Sequence, residues 1–175
     1  MIGAVGASIY HPQELNRVLD LGGVDAVQVP VHCLDTRWAR ERGLSRAVES
    51  GITVFGRSVF LQGLLLLEPS EAERKVPGTG VWVQRVHRLA ANWGLSVKEL
   101  AIRYIRSFSE ISSIVLGTET LHQVEETCAL VNSARPLELW RIATILETFS
   151  DVPVTVLSPP LWPRSISPSP PGATG

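Results

Sequence analysis

GITVFGRSVFLQGLLLL, residues Gly51 to Leu67, spells a short strand followed by a loop that does not belong in a core. Ile52, Thr53, Val54 and Phe55 are β-branched or aromatic and lie between Gly51 and Gly56, the pattern of a brief buried strand. Gly56, Arg57 and Ser58 follow it, then Phe60, Leu61, Gln62, Gly63 and a run of leucines. A charge, a hydroxyl and two glycines beyond the carboxyl end of a buried strand are poor core material. In parallel α/β proteins ligands bind at that end, because its loops vary while the sheet stays fixed. The loop therefore reads as facing a phosphate or a dinucleotide.

Upstream, Gly3 to Ser8 is a small apolar strand that stops at His11-Pro12. Pro12 suits the first position of a helix with Glu14 near its positive end and Leu15, Val18 and Leu19 on one face; Gly22-Gly23 closes it. Val24 to Val31 is a second strand, apolar apart from Asp25 and Gln28. A polar side chain inside a buried strand needs a partner, so Gln28 is expected to face a loop, a ligand or a barrel interior. Asp35 or Thr36 caps the next helix, with Trp38, Leu44, Ala47 and Val48 inward.

Downstream, Glu68 to Gly80 is charged and interrupted by prolines and glycines, and reads as a mobile flap. Val81 to Asn92 has helical spacing and ends at Gly94. Ser96 and Glu99 form a capping box ahead of Leu100, Ala101, Tyr104 and Ile105. Ser112 to Gly117 is a fourth strand. Thr118 or Thr120 starts a helix that turns Val124, Thr127, Cys128 and Val131 inward, and Leu137 to Phe149 is a last amphipathic helix. After Ser150 the chain is expected to run extended along the surface, anchored by Leu161 and Trp162. Residues 164–175, rich in proline and serine, read as a disordered tail.

Composition narrows the function classes. With 175 residues, 45% hydrophobic and 19% charged, the chain can build one core of its own. A net charge of −1 provides no attraction for nucleic acid or an anionic membrane. No stretch is long and apolar enough for a membrane span, and no basic, apolar leader opens the sequence. Cys33 and Cys128 make no metal-ligand spacing and read as reduced packing residues of a cytoplasmic protein. His11, His87 and His122 read as surface residues, and Trp82, Trp93 and Trp140 as core or interface. His32 beside Cys33 would be a base and a nucleophile only if adjacent strand residues shared a face, which they do not.

Strand and helix alternate, each crossover being long enough to return the chain to a parallel neighbour. Two α/β architectures meet that order: a small doubly wound domain, or about four βα units of a barrel with a C-terminal helix. GAVGAS, the first turn, matches the dinucleotide fingerprint of an open sheet only loosely, which favours the partial barrel.

Several stretches carry a more specific likeness. IGAVGASIYHPQEL, VDAVQVPVHCLD, GITVFGRSVFLQGLL, LSVKELAIRYI, SSIVLGTETLHQVEET and VLSPPLWP, in that order, resemble the second half of an aldo/keto reductase, most of all the bacterial branch with an RSVFLQG loop. The likeness covers about Met1 to Pro163, a single domain ahead of the tail. It implies the second half of a (β/α)8 barrel, binding NADP(H) or NAD(H) at the carboxyl ends of its strands and serving carbonyl reduction. The family's catalytic aspartate, tyrosine, lysine and histidine belong to its first half. Tyr10 and Tyr104 match none of that motif, so the chain is expected to carry no catalytic residue and to be inactive alone.

The resemblance assigns cofactor contacts residue by residue. Ser8 matches the serine that bonds the nicotinamide carboxamide, with Ile9 in place of the usual asparagine, and Gln28 matches the amide-binding glutamine. Arg57 falls where an aromatic stacks on nicotinamide; its alternative is a surface arginine in a salt bridge. Ser58 and Phe60 match loop positions at the pyrophosphate. Gly117, Thr118, Gln123, Glu126 and Thr127 match the segment that holds the adenosine 2′-phosphate and adenine, though Gly117, Glu119 and Gln123 leave it without its usual positive charge. Two further readings stand beside the reductase: an assembly module that covers its open sheet with a second copy or a complementary half-barrel, and a truncated reading frame.

Overall fold

The computed structural model describes residues 2–163; the tail expected beyond them lies outside the described residues. Four parallel strands, β1 (Gly6–Ser8), β2 (Ala26–Pro30), β3 (Thr53–Arg57) and β4 (Ser113–Ile114), pair in that order. Helices fill the crossovers: α1 (Pro12–Leu21), then α2 (Arg37–Arg40) with α3 (Gly43–Glu49), then α4 (Pro69–Lys75), α5 (Gly80–Asn92) and α6 (Val97–Ile105). After β4 come α7 (Leu121–Ser133), α8 (Leu139–Thr148) and a short α9 (Val154–Leu157). Successive parallel strands, each covered by the helix that returns the chain, make a partial barrel.

Local chemistry places most boundaries. Pro12 opens α1, Glu14 accepts the amides of Tyr10 and His11, and Gly22 at φ 67 ends the helix. Those amides hold the Glu14 carboxyl below its ordinary range. Ser96 caps α6 by accepting the Glu99 amide, but the Glu99 carboxylate turns to Arg103, so of the expected capping box only this half is made.

The period of two along the strands separates the sheet's faces. Val27, Val29 and Val54 are fully buried in one cluster with Leu15, Trp38, Leu44 and Ala47, and with Val83, Val86, Leu100 and Ile105 of α5 and α6. Burying each such aliphatic side chain stabilises the fold by roughly 1.5–3 kcal/mol. Gly56 belongs to this face, where a Cβ would sit 2.6 Å from Cδ1 of Ile105; its absence lets α6 close on the sheet. The other face is half open. Ser8, Gln28 and Phe55 lie in register across it, and Arg57, two residues beyond Phe55, projects to the same side.

Several expectations are corrected. β3 runs through Gly56 to Arg57, so the arginine ends the strand instead of following it. Glu68 to Gly80 is no flap: it holds α4 and the start of α5, with Ala72 and Thr79 buried. Glu73 accepts the amides of Gly78 and Gly80 at 2.8 Å each, and the Thr79 hydroxyl lies within hydrogen-bond distance of the Ala72 and Val76 carbonyls. A carboxylate thus pins the turn that proline and glycine seemed to loosen. Val48 is exposed at the end of α3. In α7 Thr127 alone is buried, while Val124 and Cys128 are exposed, because this helix packs against α6 rather than the short β4. Near the C-terminus Trp162 packs against the core as expected, but Leu161 is exposed and Val156 and Leu157 are the buried residues; a helical turn replaces the extended path.

Candidate functional site

Beyond β3 the backbone enters the left-handed region at Ser58 (φ 58), Leu61 (φ 48), Gln62 (φ 52) and Gly63 (φ 79). Each non-glycine residue there costs roughly 1–2 kcal/mol, so packing must offset it. Leu61, Leu64 and Leu65 are fully buried and hold the loop from below; the Leu61 amide donates to the Ser58 carbonyl at 2.8 Å, and a His87 ring nitrogen lies 3.0 Å from the Leu65 carbonyl. The loop's polar rim is therefore held firm at the carboxyl end of the sheet.

Arg57 joins that rim to β1. Its Nη1 donates to the Ser58 hydroxyl at 3.0 Å and its Nη2 to the Ile9 carbonyl at 3.1 Å, while its guanidinium lies 4.5 Å from the centre of the Tyr10 ring. Among the described residues no carboxylate comes within salt-bridge distance of it, and its Nε is buried without a partner. The salt-bridged surface arginine weighed from the sequence is absent. In its place stands a half-buried cation satisfied by neutral oxygens and by an aromatic face.

Facing the rim, the segment after β4 turns into α7. Thr120 caps the helix by accepting the Gln123 amide at 3.2 Å, and the Gln123 side chain accepts the Glu119 amide at 2.8 Å. Between the walls lies a groove of about 720 Å³. It gathers Arg57, Ser58, Phe60, Gly117, Thr118, Gln123, Glu126 and Thr127, together with Glu119, Gln62, Gly63 and Leu66. Ser8 and Gln28 lie outside it and bond each other at 3.3 Å on the half-open face of the sheet, the face from which Arg57 projects.

Lys98, at the start of α6, was missed from the sequence. It lines the groove with its side chain 19% exposed, and its Nζ meets Glu126 at 2.7 Å. The pair holds the Glu126 carboxyl below its ordinary range. A lysine in the first turn of a helix opposes the dipole, a local anomaly that marks a partner elsewhere.

The pair His32 and Cys33 offers no chemistry. Both are fully buried, and burial pushes the Cys33 thiol up to about 12, away from the thiolate a nucleophile needs. Tyr104 is likewise enclosed, with its hydroxyl unpartnered and its acidity suppressed by burial. Among the described residues no group of three or more His, Cys, Asp or Glu side chains is placed to hold a metal ion, and no helix is long and apolar enough to cross a membrane.

Comparison with known proteins adds the family. The sequence model of the Aldo/keto reductase family matches residues 1–145. An aldo-keto reductase, AKR11C1 from Bacillus halodurans, superposes in its holo form with a TM-score of 0.63 at 19% identity, over 81% of this chain and 48% of that one. Its apo form gives 0.62 at 18% identity, over 80% and 48%. At these identities the likeness is one of fold, and the chain spans about half the length of the solved structures it matches. No curated protein matches the sequence significantly.

Proposed function

The chain belongs to the aldo/keto reductase family, and from that premise we propose that its groove binds a nicotinamide nucleotide, NADP(H) or NAD(H), as the cofactor-holding half of an oxidoreductase. The observation that carries this reading is Arg57, a half-buried cation with no carboxylate partner among the described residues, on the wall of a groove at the carboxyl ends of parallel strands. Each terminal nitrogen of its guanidinium keeps a second N–H beyond those given to Ser58 and Ile9, which suits a diphosphate. Ser58 and Thr118 add hydroxyls along the same groove, Gly117 leaves backbone room, and Phe60 supplies an apolar floor. The residues present thus fit the group. Ser8 and Gln28, paired on the half-open face, are the hydroxyl and the amide for a carboxamide. Gln123, Glu126 and Thr127 stand at the adenosine end.

A bound nicotinamide nucleotide supplies a hydride to a carbonyl carbon or takes one from an alcohol. These residues bind and orient it, and in this reading the proton is handed over by residues of the half of the fold that this chain does not span. A reducing, cytoplasmic setting accords with two unpaired thiols. Calorimetric titration of the full chain with NADH and NADPH tests the reading. Binding of at least one nucleotide is expected, weakened tenfold or more by Arg57→Met, which keeps an aliphatic stem on Tyr10. Absence of binding by both, or unchanged binding in the variant, refutes it.

The open edges of the sheet favour a second role as an assembly module. β1 and β4 each have one paired side among the described residues, and Val5 and Val115 beside them are 53% and 45% exposed. A complementary half-barrel, or a second copy, would cover them. Sedimentation showing a stable monomer with no concentration dependence would count against that role.

A further inference from the structure

We propose that a second cavity, set among the helices, binds a free α-amino acid with an apolar side chain. It lies where α2 and the start of α3 meet the turn between α6 and β4 and the start of α8, with no strand residue in its lining. It holds about 480 Å³, a size suited to a small molecule, and among the described residues it shares no lining residue with the groove at the sheet's carboxyl end. The fold leaves its polar groups unfinished. Trp38, on its wall, is 2% exposed, and its indole Nε1 is buried with no partner among the described residues, a donor stripped of water without replacement. Arg40 gives Nη2 to the Leu146 carbonyl and has no carboxylate within salt-bridge distance among the described residues. Glu110 is its converse. Its carboxylate accepts the Ser45 hydroxyl at 2.9 Å and the Ser109 hydroxyl at 3.4 Å, and no cation among the described residues comes within salt-bridge distance.

In formal charge the lining is neutral, Arg40 and Arg42 standing against Glu41 and Glu110. A lone anion would meet two carboxylates there, and a lone cation two guanidinium groups. A zwitterion satisfies both signs at once. Arg42 leans out to Glu49 at 3.7 Å, which leaves Arg40 as the cation for a ligand. The ligand's carboxylate takes the remaining N–H groups of Arg40 and the Trp38 indole N–H, and its ammonium donates to Glu110, which Ser45 orients. Phe108, Leu137 and Ile142 line the same cavity with carbon, so an apolar side chain leaves water as it binds. Charge of both signs beside an apolar wall is the chemistry that recognises a free apolar amino acid.

The test is calorimetric titration of the full chain with phenylalanine and leucine, and with two masked analogues, N-acetylphenylalanine, which lacks the ammonium, and phenylalaninamide, which lacks the carboxylate. At least one of the two amino acids is expected to bind saturably, one per chain, and each masked analogue tenfold or more weakly than phenylalanine. Arg40→Gln and Glu110→Gln, with circular dichroism confirming that each is folded, should each weaken amino-acid binding tenfold or more. Arg40→Gln also gives up the Leu146 carbonyl and so could loosen α8; Glu110→Gln keeps that contact, and its result decides if the other variant unfolds. Failure of both amino acids to bind saturably overturns the proposal. So does a masked analogue that binds as tightly as phenylalanine, or undiminished binding in Glu110→Gln.

Discussion

Lowering the pH from about 7.5 to about 5 should cost this fold about 2 kcal/mol through His32 alone. The side chain is fully buried and neither ring nitrogen has a partner among the described residues. Burial therefore pushes the imidazole from its ordinary 6.5 down to about 4. Asp35 favours the charged form, but Arg37 already grips that carboxylate at 2.7 and 2.8 Å and itself opposes a second cation nearby. The sign follows from which state takes up the proton. The unfolded chain binds it below about 6.5 and the folded chain only near 4, so stability is complete above the first value and drains away as pH falls toward the second. At about pH 5 nearly every unfolded molecule is protonated at His32 and about one folded molecule in ten, a difference of about 2 kcal/mol at about 1.4 kcal/mol per tenfold. For a domain of this size that is roughly 4–8 °C in melting temperature. Thermal unfolding of the wild type and of His32→Leu across the range measures it, because the leucine is apolar and cannot titrate. The reasoning fails if the two proteins lose stability in parallel between those pH values.

Gly80 tests whether the α4–α5 turn is as tight as its hydrogen bonds imply. A Cβ there would meet the Pro69 carbonyl oxygen at 2.8 Å and Glu73 Cβ at 2.9 Å, so Gly80→Ala should destabilise by roughly 1–3 kcal/mol in urea unfolding despite alanine's better helix propensity; unchanged stability would mean that the turn is loose. The thiols differ in burial, so a thiol reagent should label Cys128 quickly and leave Cys33, with its pKa up at about 12, unlabelled until the protein is unfolded. Rapid labelling of both in the native protein would contradict the full burial of Cys33.

The amino-acid sequence by itself determined the alternation of parallel strands and covering helices, and with it the partial barrel and the end of the sheet where a ligand would lie. It could do so because the controlling interactions are local. Pro12 and Gly22 bound α1, Ser96 and Thr120 cap their helices through residues three positions on, and the valines of β2 repeat every second residue. Tertiary structure alone decided how the site is charged. Arg57 finds Ile9 and Tyr10 nearly fifty positions away, and Lys98 finds Glu126 from another helix. It also turned Glu68–Gly80 from an expected flap into a pinned helical hairpin through Glu73, and left α7 half exposed because β4 is only two residues long. Charges and buried contacts of that kind depend on which distant residues the closed fold brings within a few ångströms, and no periodicity or cap along the chain encodes that distance.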